Sequence, residues 1–166
     1  MHIIAQTPRF SIRNFKPDEE EVYLSLFDDA FVLVHIPKRT RKENSTIFRS
    51  ALNDYAAGKT VGRWGLFNNN DNEFIGMCLL RDFDGVTGKI ELGYVLSRKY
   101  WGKGIASEVA LIMTNYAFTH TGANEIVAVT TLENIPSQKV LEKVGMCRLD
   151  NILRDGEELA FFSIER

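Results

Sequence analysis

The chain has 166 residues, 45% hydrophobic and 25% charged, an ordinary make-up for a globular domain long enough to bury a sizeable core without staples. A formal net charge of -2 and a pI near 5.9 leave no electrostatic footprint for nucleic acid. No apolar run approaches the roughly 20 residues of a membrane span, and the two cysteines, Cys78 and Cys147, read as reduced thiols in apolar settings.

The opening, MHIIAQTPRF, has no basic region followed by a long apolar stretch, so no signal peptide is read and a single cytoplasmic domain, 1–166, is expected. Arg9 to Asn14 alternates Phe10 and Ile12 with Ser11 and Arg13, a half-buried strand. Pro17 suits the first turn of a helix, with Asp18, Glu19, Glu20 and Glu21 where negative charge is favoured. Val22, Leu26 and Ala30 then recur at helical spacing. Phe31 to Ile36 is a short apolar run stopped by Pro37 that fits a strand or an irregular loop. Thr40 and Glu43 form a capping box before a second helix, 42–57, with Ile47, Phe48, Ala51, Leu52 and Tyr55 on its apolar face and Gly58 as its C-terminal cap.

Strands follow at 61–67, 73–81 and 90–96. The first turn, NNNDN at 68–72, holds Asn and Asp residues that tolerate positive φ; the second is 82–88. Short loops between successive strands imply an antiparallel meander. A basic, aromatic connection then leads to a loop with Gly102 and Gly104, which opens a helix running to about Thr121, its apolar face Ile105, Val109, Ile112, Tyr116 and Ala117. The strand 125–131 is nearly all apolar, so it should be central and buried on both faces. Strand, long helix and strand make a βαβ unit with a right-handed crossover. Asn134 and Pro136 start a short helix through Val144, and strands at 146–153 and 158–164 surround a turn at 154–156. The class is α+β: a mixed, mostly antiparallel seven-stranded sheet with one central parallel pair and about four helices.

The glycine turn is the chemical centre of the sequence. A strand that ends at a glycine-bearing loop opening a helix exposes backbone N–H groups at the positive end of the helix dipole, a general device for phosphate. GKGIAS is half of a dinucleotide fingerprint, with Ser107 in the third glycine place, yet it lies about two-thirds along the chain and too little follows for a Rossmann domain. The P-loop pattern is absent. The loop therefore holds a phosphate-bearing ligand in another setting, or only makes a tight turn. His2, His35 and His120 are scattered without metal-ligand spacing, so no metal is expected. The basic run PKRTRKE reads as a solvated loop and helix start that also suits steering of an acidic acceptor or a phosphate.

ELGYVL from Glu91, then YWGKGIASE, then NIPSQKVLEKVGM from Asn134 to Met146, together with PRFSIRNF before an acidic helix, resemble the GNAT superfamily of N-acetyltransferases, in particular its ribosomal-protein N-terminal (RimJ/RimL-like) branch. Trp101 stands where the broad superfamily motif has Gln or Arg; that branch often carries Trp there. The resemblance implies a three-layer α/β/α GNAT fold and acetyl-CoA as acetyl donor. It assigns the pyrophosphate to the backbone of Trp101, Gly102, Lys103, Gly104, Ile105, Ala106 and Ser107. It lays the pantetheine arm along Tyr94, Val95 and Leu96, with Asn134 on the other side, and this requires that strand to splay from 125–131 and leave a V-shaped slot. A backbone N–H near Val95 would meet the oxyanion.

The reaction implied is direct transfer to a primary amine. Glu91 is the candidate base, direct or through water, and apolar Ile90 and Leu92 on either side should raise its pKa. The competing reading is a strand glutamate that faces solvent or pairs with a basic residue. Ser137 is the acid by resemblance; in the first turn of a helix it equally suits a backbone hydrogen bond, and Tyr94 or Tyr116 could replace it. The expected acceptor is a protein N-terminal α-amine, with a polyamine or amino sugar as the alternative. A non-catalytic acyl-CoA-binding module and a nucleotide-binding α/β domain are the readings from other classes. No nucleic acid or membrane partner is expected, and the chain is read as a monomer or homodimer.

Overall fold

The computed structural model describes all 166 residues. They form eight strands: β1 (Ile3–Gln6), β2 (Phe10–Arg13), β3 (Gly62–Asn68), β4 (Phe74–Asp82), β5 (Lys89–Leu96), β6 (Glu125–Thr131), β7 (Cys147–Arg154) and β8 (Glu157–Glu165). The helices are α1 (Glu20–Ser25), α2 (Ala30–Leu33), α3 (Arg41–Ala56), α4 (Ile105–His120) and α5 (Ile135–Lys143). The strand order is β1-β2-β3-β4-β5-β6-β8-β7, and β5 with β6 is parallel. The expected seven strands and four helices become eight and five. The added strand is β1, which pairs antiparallel with β2 at the edge through Ile3↔Arg13 and Gln6↔Ser11. The added helix is α2, which takes Ala30 from the expected first helix, ended here at Ser25, and residues 31–33 from the apolar run read as strand or loop. Asp29 caps it by accepting from the Phe31 N–H at 2.9 Å, and that cap outweighs the strand preference of a four-residue segment.

The chain divides into two compact units, Met1–Leu79 with Tyr94–Trp101, and Leu80–Gly93 with Gly102–Arg166. In the first, an aromatic core joins α1, α3 and the strands: Phe15, Tyr23, Phe48, Phe67, Met77 and Val32 are buried together. Phe15 meets Tyr23 edge-on at 5.5 Å and Phe67 at 6.1 Å. Each buried aromatic contributes about 1.5–3 kcal/mol, so these residues rather than α1 propensity hold the short helix in place. The buried face of α1 is Tyr23 and Leu24, whereas Val22, expected inside, is exposed. The capping box of α3 is present: Thr40 Oγ1 accepts from the Glu43 N–H at 3.2 Å, and the Thr40 N–H donates to the Glu43 carboxylate.

In the second unit, α4 and α5 pack against each other and on β6. Val109, Ala110, Met113 and Ala117 of α4 are fully buried, and β6 is buried on both faces as its apolar run requires. β6 also pairs antiparallel with β8 along its whole length, Glu125↔Glu165 to Thr131↔Leu159. Parallel pairing with β5 covers only Lys89↔Glu125, Ile90↔Ile126 and Glu91↔Val127, although both strands continue.

Candidate active site

Glu91 is the last residue of β5 that pairs with β6, and its carboxylate is buried, with 6% of the side chain exposed. Two guanidinium groups close on it. Arg81 donates from Nε to Oε2 at 3.1 Å and from Nη2 to Oε1 at 2.8 Å. Arg154 donates from Nη1 to Oε1 and from Nη2 to Oε2, each at 3.0 Å. Arg81 is the cross-strand neighbour: counting back from the backbone bond of Phe83 N–H to Lys89 C=O, positions 81 and 91 face each other. Arg154 arrives from the end of β7. Its guanidinium lies 5.6 Å over the Phe83 ring and 3.7 Å from Asp84, and Phe83 stacks on Phe161 at 5.6 Å.

This cluster corrects one expectation. Burial pushes the Glu91 carboxyl up, as its apolar neighbours suggested, but the hydrogen bonds and charges of Arg154 and Arg81 outweigh burial and hold it below its ordinary value. Both oxygens already accept charge-assisted bonds, so the site is a poor proton acceptor at neutral pH. Neither arginine was singled out in the sequence. The pairing with Arg81 was legible from hairpin register; that with Arg154, 63 residues away, had no local signal.

The glycine loop is built as expected. Trp101, Gly102, Lys103 and Gly104 are exposed, and Gly102 and Gly104 take left-handed φ of 69° and 76°. Open space surrounds the position a Cβ would take on Gly102. Gly104 is the N-cap of the 16-residue α4 and supplies no side-chain cap, so the first-turn N–H groups at Ile105, Ala106 and Ser107 meet no capping side chain. The loop therefore fits a phosphate-bearing ligand held by main-chain amides. Just before it, the Trp101 indole N–H donates to the Leu96 carbonyl at 2.9 Å, closing the turn that leaves β5 after Tyr94, Val95 and Leu96.

Asn134 is the N-cap of α5. Its Oδ1 accepts from the Ser137 N–H at 3.3 Å, and its Nδ2 donates to Thr130 Oγ1 at 2.9 Å. Asn134, and not Ser137, thus makes the cap. The structure forms three local groupings from the candidate residues: Glu91 with its two arginines, Trp101 with Leu96, and Asn134 with Ser137. Of the two tyrosines considered as acids, Tyr116 is pushed up by burial and packs on His120 at 4.5 Å. No group of three His, Cys, Asp or Glu side chains is placed to hold a metal ion. No helix is long and apolar enough to cross a membrane.

Comparison with known proteins identifies the family. Residues 9–147 match the acetyltransferase (GNAT) domain. The chain is 29% identical over 161 residues to the uncharacterized N-acetyltransferase p20 of Bacillus licheniformis, covering 92% of this chain and 86% of that protein. Among solved structures it is similar to a ribosomal-protein-S5-alanine acetyltransferase from Vibrio fischeri, with a TM-score of 0.84 at 16% identity over 99% of this chain and 97% of that one. It is also similar to RimL, the ribosomal L7/L12 alpha-N-protein acetyltransferase in complex with coenzyme A, with a TM-score of 0.82 at 12% identity over 99% and 98%. The chain belongs to the GNAT acetyltransferase family and has its fold.

Proposed function

We propose that this GNAT acetyltransferase, read as one domain, uses acetyl-CoA to acetylate a primary amine, and that its acceptor is the α-amine of a protein N-terminus. Acetyl-CoA supplies an acetyl thioester, already activated for direct transfer to nitrogen. The main chain from Trp101 through Ser107 holds the pyrophosphate, supported by the exposed, left-handed Gly102 and Gly104 at the start of α4. The strand edge at Tyr94, Val95 and Leu96 aligns the pantetheine arm, and the Val95 N–H meets the developing oxyanion. Asn134 holds a pantetheine amide; its bonds to Ser137 and Thr130 orient it for that purpose. Ser137 is the proton donor to the coenzyme's sulfur.

The occupied carboxylate of Glu91 carries the choice of acceptor. Freeing the neutral form of a lysine near pKa 10.4 at pH 7 costs about 4–5 kcal/mol, whereas an α-amine near 7.7–8 costs about 1 kcal/mol. A site whose one candidate base is clamped and held low suits the amine that asks least of a base. Water then takes the proton, and Glu91 serves as a fixed charge that positions Arg81 and Arg154. The family likeness to ribosomal-protein acetyltransferases is in keeping with this acceptor.

The test is a mass-spectrometric panel with labelled acetyl-CoA: peptides with a free α-amine, the same peptides blocked there but carrying lysine, a polyamine and an amino sugar. Label on the α-amine alone is expected. Label confined to the polyamine or sugar would replace the acceptor, and coenzyme A binding without turnover on any amine would overturn the reaction.

A further inference from the structure

The carboxylate of Glu73, at the foot of β4, grips the segment that leads into the glycine loop. It accepts from Lys99 Nζ on both oxygens at 2.7 Å and from the Tyr100 hydroxyl at 2.7 Å. The same segment is tied at its start, where the Ser97 N–H donates to the Ile75 carbonyl at 2.8 Å. Between these ties lies a single 3-10 turn, Arg98–Tyr100, closed by Tyr100 N–H to Ser97 C=O and Trp101 N–H to Arg98 C=O. Tyr100 is buried, and burial together with its bond to Glu73 keeps its hydroxyl protonated and donating.

We infer that Glu73 is a positioning residue for acetyl-CoA binding: through Tyr100 it fixes where the backbone enters the loop at Gly102. The two glycines, at φ of 69° and 76°, make the loop open to a phosphate, but their backbone is intrinsically freer than that of other residues, since glycine can take either sign of φ. An anchor on the residues just before them removes that freedom in advance, so less ordering is left for the ligand to impose. Lys99 contributes little, since it and Glu73 are both well exposed and such pairs are weak. The bond from buried Tyr100 to a charged oxygen is the stronger of the two.

This inference rests on the acetyl-CoA reading, and calorimetry with coenzyme A separates the two. If the unaltered protein shows no binding, the cofactor reading fails. If it binds, Glu73→Ala and Tyr100→Phe are each expected to weaken coenzyme A by about tenfold, the size of one charge-assisted hydrogen bond. Lys99→Ala should stay within about twofold, as for an exposed pair. The KM for acetyl-CoA should rise in step while kcat and the acceptor KM hold. Amides 97–104 of the ligand-free protein should exchange faster in both variants. Glu73→Gln, which keeps an acceptor oxygen for Tyr100, should restore most of the affinity. Unchanged binding in Glu73→Ala and Tyr100→Phe, or a fall in kcat at constant KM, would overturn the inference. Should Glu73→Ala fail to fold, Tyr100→Phe decides by the same readouts.

Discussion

Arg154 reaches Glu91 with two parallel N–H···O bonds of 3.0 Å, joining the end of β7 to the middle of β5. Arg81 approaches the same carboxylate side-on, so one buried negative charge meets two guanidinium groups. In a region of low dielectric, loss of the carboxylate would leave two guanidinium groups without their counter-charge. This arrangement sets what Glu91 can do chemically and how the fold responds to its loss.

Replacing Glu91 by Ala should lower stability by about 2–4 kcal/mol. That is below the range for a fully buried pair, because Arg81 remains half in water. For a chain of this size the melting temperature should fall by about 10 °C. Glu91→Gln should retain part of the stability, and its pH–rate profile should keep the shape of the unaltered enzyme's, with a rise that follows the acceptor amine. A lost titration limb in Glu91→Gln would restore Glu91 as the base.

Acid should weaken the fold through two carboxylates. Glu91 is held low as described, and Glu19 is held low because bonds from Arg13 and the Lys16 backbone outweigh its burial. A depressed carboxyl stabilises the fold fully above its unfolded value and loses that contribution as pH falls through its folded value. Denaturant unfolding should therefore show stability from these groups intact at neutral pH and falling below about pH 4.5. The slope should be shallower in Glu91→Gln.

Asn134 has a cap role and a proposed ligand role, and substitutions can separate them. Asn134→Ala should cost about 0.5–2 kcal/mol through the lost cap and also raise the KM for acetyl-CoA. Asn134→Ser keeps a capping oxygen but lacks the amide N–H₂. It should unfold near the unaltered protein in a thermal scan yet share the raised KM.

The two cysteines should differ in reactivity. Cys147 is exposed at the start of β7, whereas Cys78 is fully buried, and burial pushes its thiol well up. A thiol reagent should modify one site in the native protein, identified by peptide mass as Cys147, and the second only on unfolding. Two equivalents under native conditions would show that β4 opens.

Much was legible in the chain because it depends on neighbours in sequence. The Thr40–Glu43 box, the NNNDN turn with Asn72 at φ 58°, and the apolar run of β6 each obey local rules, and the structure keeps all three. β1 and α2 were not legible. Ile3–Gln6 is a strand because β2 offers it a partner, and Ala30–Leu33 is too short for periodicity to speak.

The order of residues by itself determined the family, the α+β class and the position of the glycine loop. The class and the loop rest on spacing, on backbone freedom at Gly102 and Gly104, and on an apolar pattern carried along each segment, whereas the family rests on the likeness of ELGYVL, YWGKGIASE and NIPSQKVLEKVGM to the GNAT motifs. Only tertiary structure decided the state of Glu91. Its protonation depends on which charges come within hydrogen-bond reach, and one of these, Arg154, is brought there by β7 from 63 residues away. Apolar neighbours in sequence argued for a raised pKa; two cations assembled by the fold reversed the sign.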